Sequence, residues 1–155
     1  MKKFFALFFA GMILLTACGS KGTDIEASDY WARSALKDGN SAAYLLLNNH
    51  TDTDDELVGI SSDAAAVMEI HLSQMDANGV MQMIPQESIP LPAGGELELK
   101  PGSYHIMMIG LKQDLKAGDN ITVTLHFKNH ADITLTVPVQ EAENMGGSGM
   151  DGHMP

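Results

Sequence analysis

The chain has 155 residues, 45% hydrophobic and 19% charged, which fits one globular domain with a sizeable core. Its formal net charge is −11 at pH 7, and an acidic chain without a basic cluster argues against nucleic acid as a partner. Methionine is frequent, with 11 residues, whereas the single cysteine excludes a disulfide within the chain.

The N-terminal segment has the organisation of a secretory signal peptide. Lys2 and Lys3 form a positive n-region, and residues 4–15 form an apolar stretch that is too short and wrongly flanked for a stable membrane span. The LTAC sequence over residues 15–18 resembles the bacterial lipobox. These three features together predict a lipoprotein signal peptide over residues 1–17.

The cysteine of a lipobox is lipidated and becomes the new N-terminus. We therefore expect Cys18 to carry acyl chains at the end of a polar tether over residues 18–23, with a buried thiol as the alternative. The protein would then be anchored to a membrane of the cell envelope, on its periplasmic or extracellular face. Gly19, instead of Asp, after the cysteine fits outer-membrane sorting in a Gram-negative cell.

Residues 24–139 consist of short apolar runs bounded by turn residues, at a spacing of about ten residues. Residues 121–128 and 132–139 are β-rich and predict a hairpin, and the Asn-Gly within DANG predicts another turn. The pattern predicts an all-β domain, a sandwich of about eight or nine short strands. Residues 64–73 could be helical by composition, and YWARSAL and LKQDL suggest a helical turn.

After residue 139 the strand pattern stops. Residues 140–155 are rich in glycine and nearly devoid of core residues, which predicts a flexible tail. This tail nevertheless contains four side chains that could bind a metal, namely Met145, Met150, His153 and Met154.

The sequence gives no indication of an enzyme. A phosphate-binding glycine loop and a G-x-S-x-G motif are both absent, and the only cysteine lies outside the domain. Serine, histidine and aspartate are present, but nothing in the sequence places them together.

A metal site is the better candidate, because histidine and methionine recur at strand spacing. Residues i and i+2 of a strand point to the same face, so His105 and Met107 project together in YHIMMIGL. Met81 and Met83 share a face in the same way, and His71 shares its face with Glu69 and Ser73.

The ligand types select the metal. Thioether sulfur is soft and uncharged and suits Cu(I), and imidazole suits copper as well. Sites without thiolates also survive in an oxidising compartment. The alternative is that the methionines fill the core and the histidines, including His50, His126 and His130, form ordinary hydrogen bonds.

The arrangement of these residues resembles the PCu(A)C family of periplasmic copper chaperones. The family motif is a His, an optional Met, ten residues, a Met, twenty-one residues and His-x-Met. The sequence contains this spacing in full, with Leu72 at the optional position and His71, Met83, His105 and Met107 at the others. Flanking blocks such as DYWARS, LVGISS and IPLPAGGELELKPGSYH also follow the family order, so the resemblance covers residues 25–139.

The resemblance implies a cupredoxin-like Greek-key β-sandwich with one Cu(I) held by His71, Met83, His105 and Met107. Met81 remains a competitor for Met83, since only the spacing selects between them. Such a site of neutral ligands near the surface would pass copper on by ligand exchange. The family is associated with supplying copper to the CuA centre of cytochrome c oxidase, often alongside Sco-type proteins, which implies the CuA subunit or a Sco-type protein as recipient.

Two other functions stay open. The protein could be a copper scavenger or buffer of the envelope, or a protein-interaction module whose methionines only pack. Some family members have a Met- and His-rich C-terminal extension, which implies accessory copper binding by the tail, with Cu(II) at His153 as one form.

Overall fold

The computed structural model describes residues 24–141, which form ten β-strands and no helix. In chain order the strands are β1 (Ile25–Arg33), β2 (Ser41–Asn49), β3 (Asp55–Ser61), β4 (Ala65–Met75), β5 (Met81–Gln86), β6 (Ile89–Leu91), β7 (Glu96–Leu99), β8 (Tyr104–Leu111), β9 (Asn120–Phe127) and β10 (Ile133–Gln140). These residues, 24–141, therefore contain no helix that could span a membrane. The all-β prediction is confirmed.

The strands follow one another in the order β5-β4-β8-β2-β1-β10-β9-β3-β6, and β7 pairs with β2 beyond the end of β8. The junction between the two halves of this path is short, because β1 and β10 share only two parallel residue pairs. The β5–β1 half and the β10–β6 half form the two layers of the sandwich. Among the described strands, β5 lies at the edge of the first layer, β4 is its neighbour, and β8 follows β4.

Strand alternation explains the core. In β9 and β10 the threonines face outward, whereas Val123, Leu125 and Val137 are at most 1% exposed. The central strand β2 is buried almost throughout, as expected for a strand with neighbours on both sides. Leucine and isoleucine from nearly every strand complete one hydrophobic cluster.

The two turns predicted from the sequence are confirmed. β9 and β10 form an antiparallel hairpin. The turn between β4 and β5 closes through a hydrogen bond from the Gly79 N–H to the Asp76 carbonyl, 3.0 Å long. Gly79 has φ 80°, a left-handed conformation that glycine adopts without a steric penalty.

The helical suggestions were wrong, and the strand count was low by one or two. Residues 64–73 are helix-like in composition, but most of them form β4, which pairs on both sides. YWAR forms the end of β1, where a register shift between Ser28 and Trp31 and a positive φ at Asp29 interrupt the alternation. The three-residue strand β6 is too short to give a sequence pattern.

Several predicted features lie outside the described residues. These are the signal peptide over residues 1–17, the tether with Cys18, and the tail beyond Glu141 with Met145, Met150, His153 and Met154.

Candidate metal centre

The two predicted histidine ligands are direct neighbours. His71 in β4 lies opposite His105 in β8 in the antiparallel ladder. Their ring centroids are 5.9 Å apart and the ring planes are inclined by 68°. Imidazole nitrogens bind metals at about 2 Å, so two rings that share one ion have centroids at most roughly 6 Å apart. The observed spacing is therefore compatible with one ion between the rings.

The two predicted methionine ligands flank this histidine pair. Met107 follows His105 by two residues and lies opposite Glu69, while Met83 in β5 lies opposite Ser73. Cross-strand partners project to the same side of a sheet, so all four predicted ligands share one face. The structure thus brings together residues that are up to 36 positions apart in the chain.

The opposite face of β4 and β8 belongs to the core. Ile106 and Met108 are fully buried and Ile70 is 4% exposed. Met107 and Met108, although adjacent in sequence, therefore have different surroundings. Met108 therefore packs in the core, whereas Met107 lies on the face of the histidine pair.

The hydrogen bond of His71 uses one of its two ring nitrogens. His71 Nε2 lies 2.7 Å from the Glu69 carboxylate, which can only accept, so in the neutral ring Nε2 carries the proton. Nδ1 is then unprotonated, and it is buried with no hydrogen-bond partner among the described residues. A buried nitrogen of this kind is costly to leave unpaired, and a metal ion would satisfy it.

His105 is held by the backbone of its own strand end. Its Nδ1 lies 3.0 Å from the carbonyl oxygen of Ser103, so Nδ1–H donates and the neutral ring has its lone pair on Nε2. The side chain is 4% exposed and hence fixed in orientation. His71 therefore offers Nδ1 and His105 offers Nε2, each with the opposite nitrogen anchored, as is usual for metal ligands.

The donor set of this face is soft. In residues 24–141 there is no group of three or more His, Cys, Asp or Glu side chains that could hold a metal ion. The further donors beside the two imidazoles are the thioethers of Met83, which is 56% exposed, and Met107, which is partly buried. A hard cation such as Mg²⁺ or Ca²⁺ would find too few oxygens here, whereas Cu(I) suits these ligands.

Comparison with known proteins gives the family. The model of the lipoprotein family described as LpqE-like matches residues 25–139, nearly all of the described domain. The chain belongs to the LpqE-like family. A relative from Leifsonia xyli, named as lipoprotein Lxx21020, is 34% identical over 124 residues, which cover 79% of this chain and 74% of the relative. Protein RP573 of Rickettsia prowazekii is 37% identical over 114 residues, 70% of this chain and 62% of its own length.

Solved structures share the fold of this LpqE-like domain. The copper-bound PCuAC domain from PmoF2 superimposes with a TM-score of 0.65 at 21% identity, over 79% of this chain and 96% of that domain. The Cu(I) form of DR1885 from Deinococcus radiodurans gives a TM-score of 0.59 at 25% identity, over 82% and 87% of the two chains. The predicted PCu(A)C resemblance and the cupredoxin-like fold are confirmed.

In the β4–β5 ladder of the LpqE-like domain, Met81 and Met83 lie at different distances from the histidine pair. Met83 is two residues along β5 from Pro85, the cross-strand partner of His71, and Met81 is four residues away. At about 3.3 Å per residue, Met83 is nearer to the imidazoles by roughly 7 Å. Sequence periodicity could not make this distinction, because both residues face the same side.

Ser61, His126 and Asp132 form a second group of polar side chains, which was not predicted from the sequence. Ser61 Oγ lies 2.9 Å from His126 Nε2, and His126 Nδ1 lies 2.8 Å from the Asp132 carboxylate. This is the hydrogen-bond order of a hydrolytic triad, and it is formed by residue types that no pattern in the sequence places together. The side chains of His126 and Asp132 are 37% and 55% exposed. Ser61 and His126 lie near the ends of β3 and β9, in the other layer from the histidine pair, and Asp132 lies in the loop after β9. The two hydrogen bonds connect β3, β9 and the loop after β9.

Proposed function

We propose that this protein is a lipid-anchored Cu(I) chaperone of the cell envelope, with His71, Met83, His105 and Met107 as ligands. The observation that carries the proposal is the histidine pair beside two uncharged thioethers, with a buried nitrogen of His71 that has no hydrogen-bond partner within residues 24–141. The copper-bound PmoF2 domain and Cu(I)-bound DR1885 share the fold and support copper as the cargo.

Ligand exchange follows from the chemistry and exposure of this site. Two imidazoles and two thioethers are neutral, so the bound ion keeps its positive charge, and the Glu69 carboxylate hydrogen-bonded to His71 offsets it from one side. Met83 is more than half exposed and lies on an edge strand. A ligand from an acceptor protein can therefore replace Met83 first, before the buried histidines release the ion.

The location and the recipient are the finer parts of the proposal. The LpqE-like family and the Leifsonia relative are named as lipoproteins, which supports anchoring through Cys18 at an envelope membrane. The recipient is a copper-accepting protein, either the CuA subunit of cytochrome c oxidase or a Sco-type protein. Met145, Met150, His153 and Met154 would act as accessory ligands that capture copper, as Cu(I) or as Cu(II) through His153.

A Cu(I) titration against a competing chelator tests the site. We expect one tight equivalent for the wild-type chain and its loss in His71→Gln and in His105→Gln, because each change removes one anchored imidazole. His50→Gln is the matched control, since it removes an exposed imidazole that is hydrogen-bonded to Glu26.

Circular dichroism of each variant separates ligand loss from misfolding. Unchanged affinity in folded His71→Gln and His105→Gln would exclude this ligand set. Equal loss in His50→Gln would mean that binding is not specific to the histidine pair.

Delivery is tested in cells. A strain that lacks the protein and grows at limiting copper should lose cytochrome oxidase activity and recover it when copper is added, because the oxidase depends on supply. Oxidase activity is measured in isolated membranes. Full activity in the deletion strain, combined with greater sensitivity to excess copper, would favour the scavenger or buffer function over delivery.

A further inference from the structure

The outer end of the β4–β5 hairpin presents a second pair of thioethers. Met75 and Met81 lie directly opposite each other in the ladder, so their Cβ atoms are about 5 Å apart on one face. They are 61% and 50% exposed and belong to no part of the hydrophobic core. The usual role of methionine as core filler therefore does not explain either residue.

This pair continues the row of ligands described above. Met83 is the next residue of β5 on the same face, about 7 Å from Met81. From the turn inward, the face presents the Met75–Met81 pair, then Met83 opposite Ser73, then His71 between Pro85 and His105. Sulfur donors thus lead from the solvent-exposed end of the hairpin to the histidine pair.

The end of the hairpin offers soft thioether donors without a competing charged side chain from β5. β5 has the sequence MQMIPQ, without a charged residue, although edge strands usually carry charges that prevent association. The carboxylate of Asp76, which follows Met75 in the chain, accepts the N–H groups of Asn78 and Val80 at 2.8 and 2.9 Å and so stabilises the turn. Half-exposed methionines gain only part of the roughly 1.5–3 kcal/mol that full burial provides, so packing does not favour them at these positions.

We infer that Met75 and Met81 form a second, weaker site for a soft monovalent cation, which hands the ion to Met83. This inference rests on the proposed function for the identity of the cargo, Cu(I). The site is weaker than the histidine site because it offers two thioethers instead of four ligands. Its exposure makes it the first protein ligand that an arriving ion meets on this face.

Residue-resolved NMR with silver tests the inference. The full mature chain is labelled with ¹³C in the methionine methyl groups and titrated with Ag(I), a redox-stable substitute for Cu(I). We expect the methyl signals of Met83 and Met107 to shift with the first equivalent. The signals of Met75 and Met81 should shift together with a second equivalent, at least tenfold weaker.

Substitutions show whether the two methionines act as a pair. Met75→Leu should abolish the response of the Met81 methyl group and leave the first equivalent intact. Met68→Leu is the matched control, since Met68 packs against the core on the opposite face of the same strand. Assigning each signal by Met→Leu substitution separates hairpin methionines from those of the tail.

The outcomes distinguish this inference from the proposed function. If Met83 and Met107 respond but Met75 and Met81 do not, or if Met81 responds equally in Met75→Leu, the second site is wrong and the histidine site stands. If no methionine of the domain responds, both are wrong. A joint response of Met75 and Met81 that precedes that of Met107 would overturn the order of affinities.

Discussion

Met107→Leu is expected to lower the Cu(I) affinity at least tenfold, about 1.4 kcal/mol, whereas Met108→Leu leaves the affinity unchanged. The two residues are adjacent, and the same thioether is lost in both variants. Met107 shares a face with the histidine pair and lies opposite Glu69, while Met108 is fully buried opposite Met68 and Ser41. Only the first change removes a sulfur from the proposed site.

For stability we expect the opposite: Met108→Leu should lower the free energy of unfolding more than Met107→Leu does. Replacing a buried methionine by leucine disturbs the packing at a cost of less than about 1.5 kcal/mol, and Met107 is only partly buried. Chelator competition measures the affinity, and urea unfolding of the copper-free chain measures stability. If both variants lose the same affinity, the effect passes through packing and Met107 is not a ligand.

Asp55→Asn is expected to destabilise the copper-free fold by about 2 kcal/mol at pH 7, from the loss of charge-assisted hydrogen bonds. Asp55 is 7% exposed at the start of β3. Its carboxylate accepts the backbone N–H groups of Asn129 and His130 at 3.0 and 2.8 Å, and that of Glu56 at 2.7 Å. An asparagine presents only one acceptor oxygen, so at least one of these partly buried donors would lose its partner.

The effect of Asp55→Asn should depend on pH. Burial raises the pKa of Asp55, but the backbone hydrogen bonds outweigh it and the pKa lies below the usual value of 3.8. A carboxyl group whose pKa is lowered by folding contributes its full stability above 3.8, and that contribution is lost as the pH falls through the lower, folded value. The difference from the wild-type chain should therefore shrink in acid.

Urea unfolding at pH 7 and at about pH 2.5 measures this change. Asp52→Asn is the matched control, because it removes the same charge from an exposed position three residues earlier. Equal stability of the two variants at pH 7 would show that the Asp55 hydrogen bonds contribute nothing.

Local patterns in the sequence predicted much of this fold. The β9–β10 hairpin follows from alternating threonine with leucine and valine, and the Asn-Gly turn follows from the need for a positive φ at Gly79. β4 was ambiguous, because the alanine run at its start has a helical preference that pairing with two neighbours overrides. β1 was missed, because its bulge breaks the period of two.

Less of the candidate site could be predicted from the sequence, because the site depends on which strands are neighbours. Strand periodicity places His105 with Met107 and His71 with Glu69, but only the ladder shows which strands are neighbours. The pairing of His71 with His105, and the position of Met83 nearer than Met81 to the imidazoles, both depend on register between strands. The Ser61–His126–Asp132 group is likewise a product of long-range pairing, which single-strand patterns do not contain.

The position of β5 at the sheet edge has a mechanical consequence. Among the described strands it pairs with β4 alone, and five of its six residues are exposed, so one ladder holds it in place within residues 24–141. An ion bound by Met83 and by the ligands of β8 would cross-link the edge strand to the interior of the sheet. Loading would stiffen the hairpin and release would loosen it, so that an acceptor protein could distinguish the loaded from the empty carrier by the rigidity of its edge.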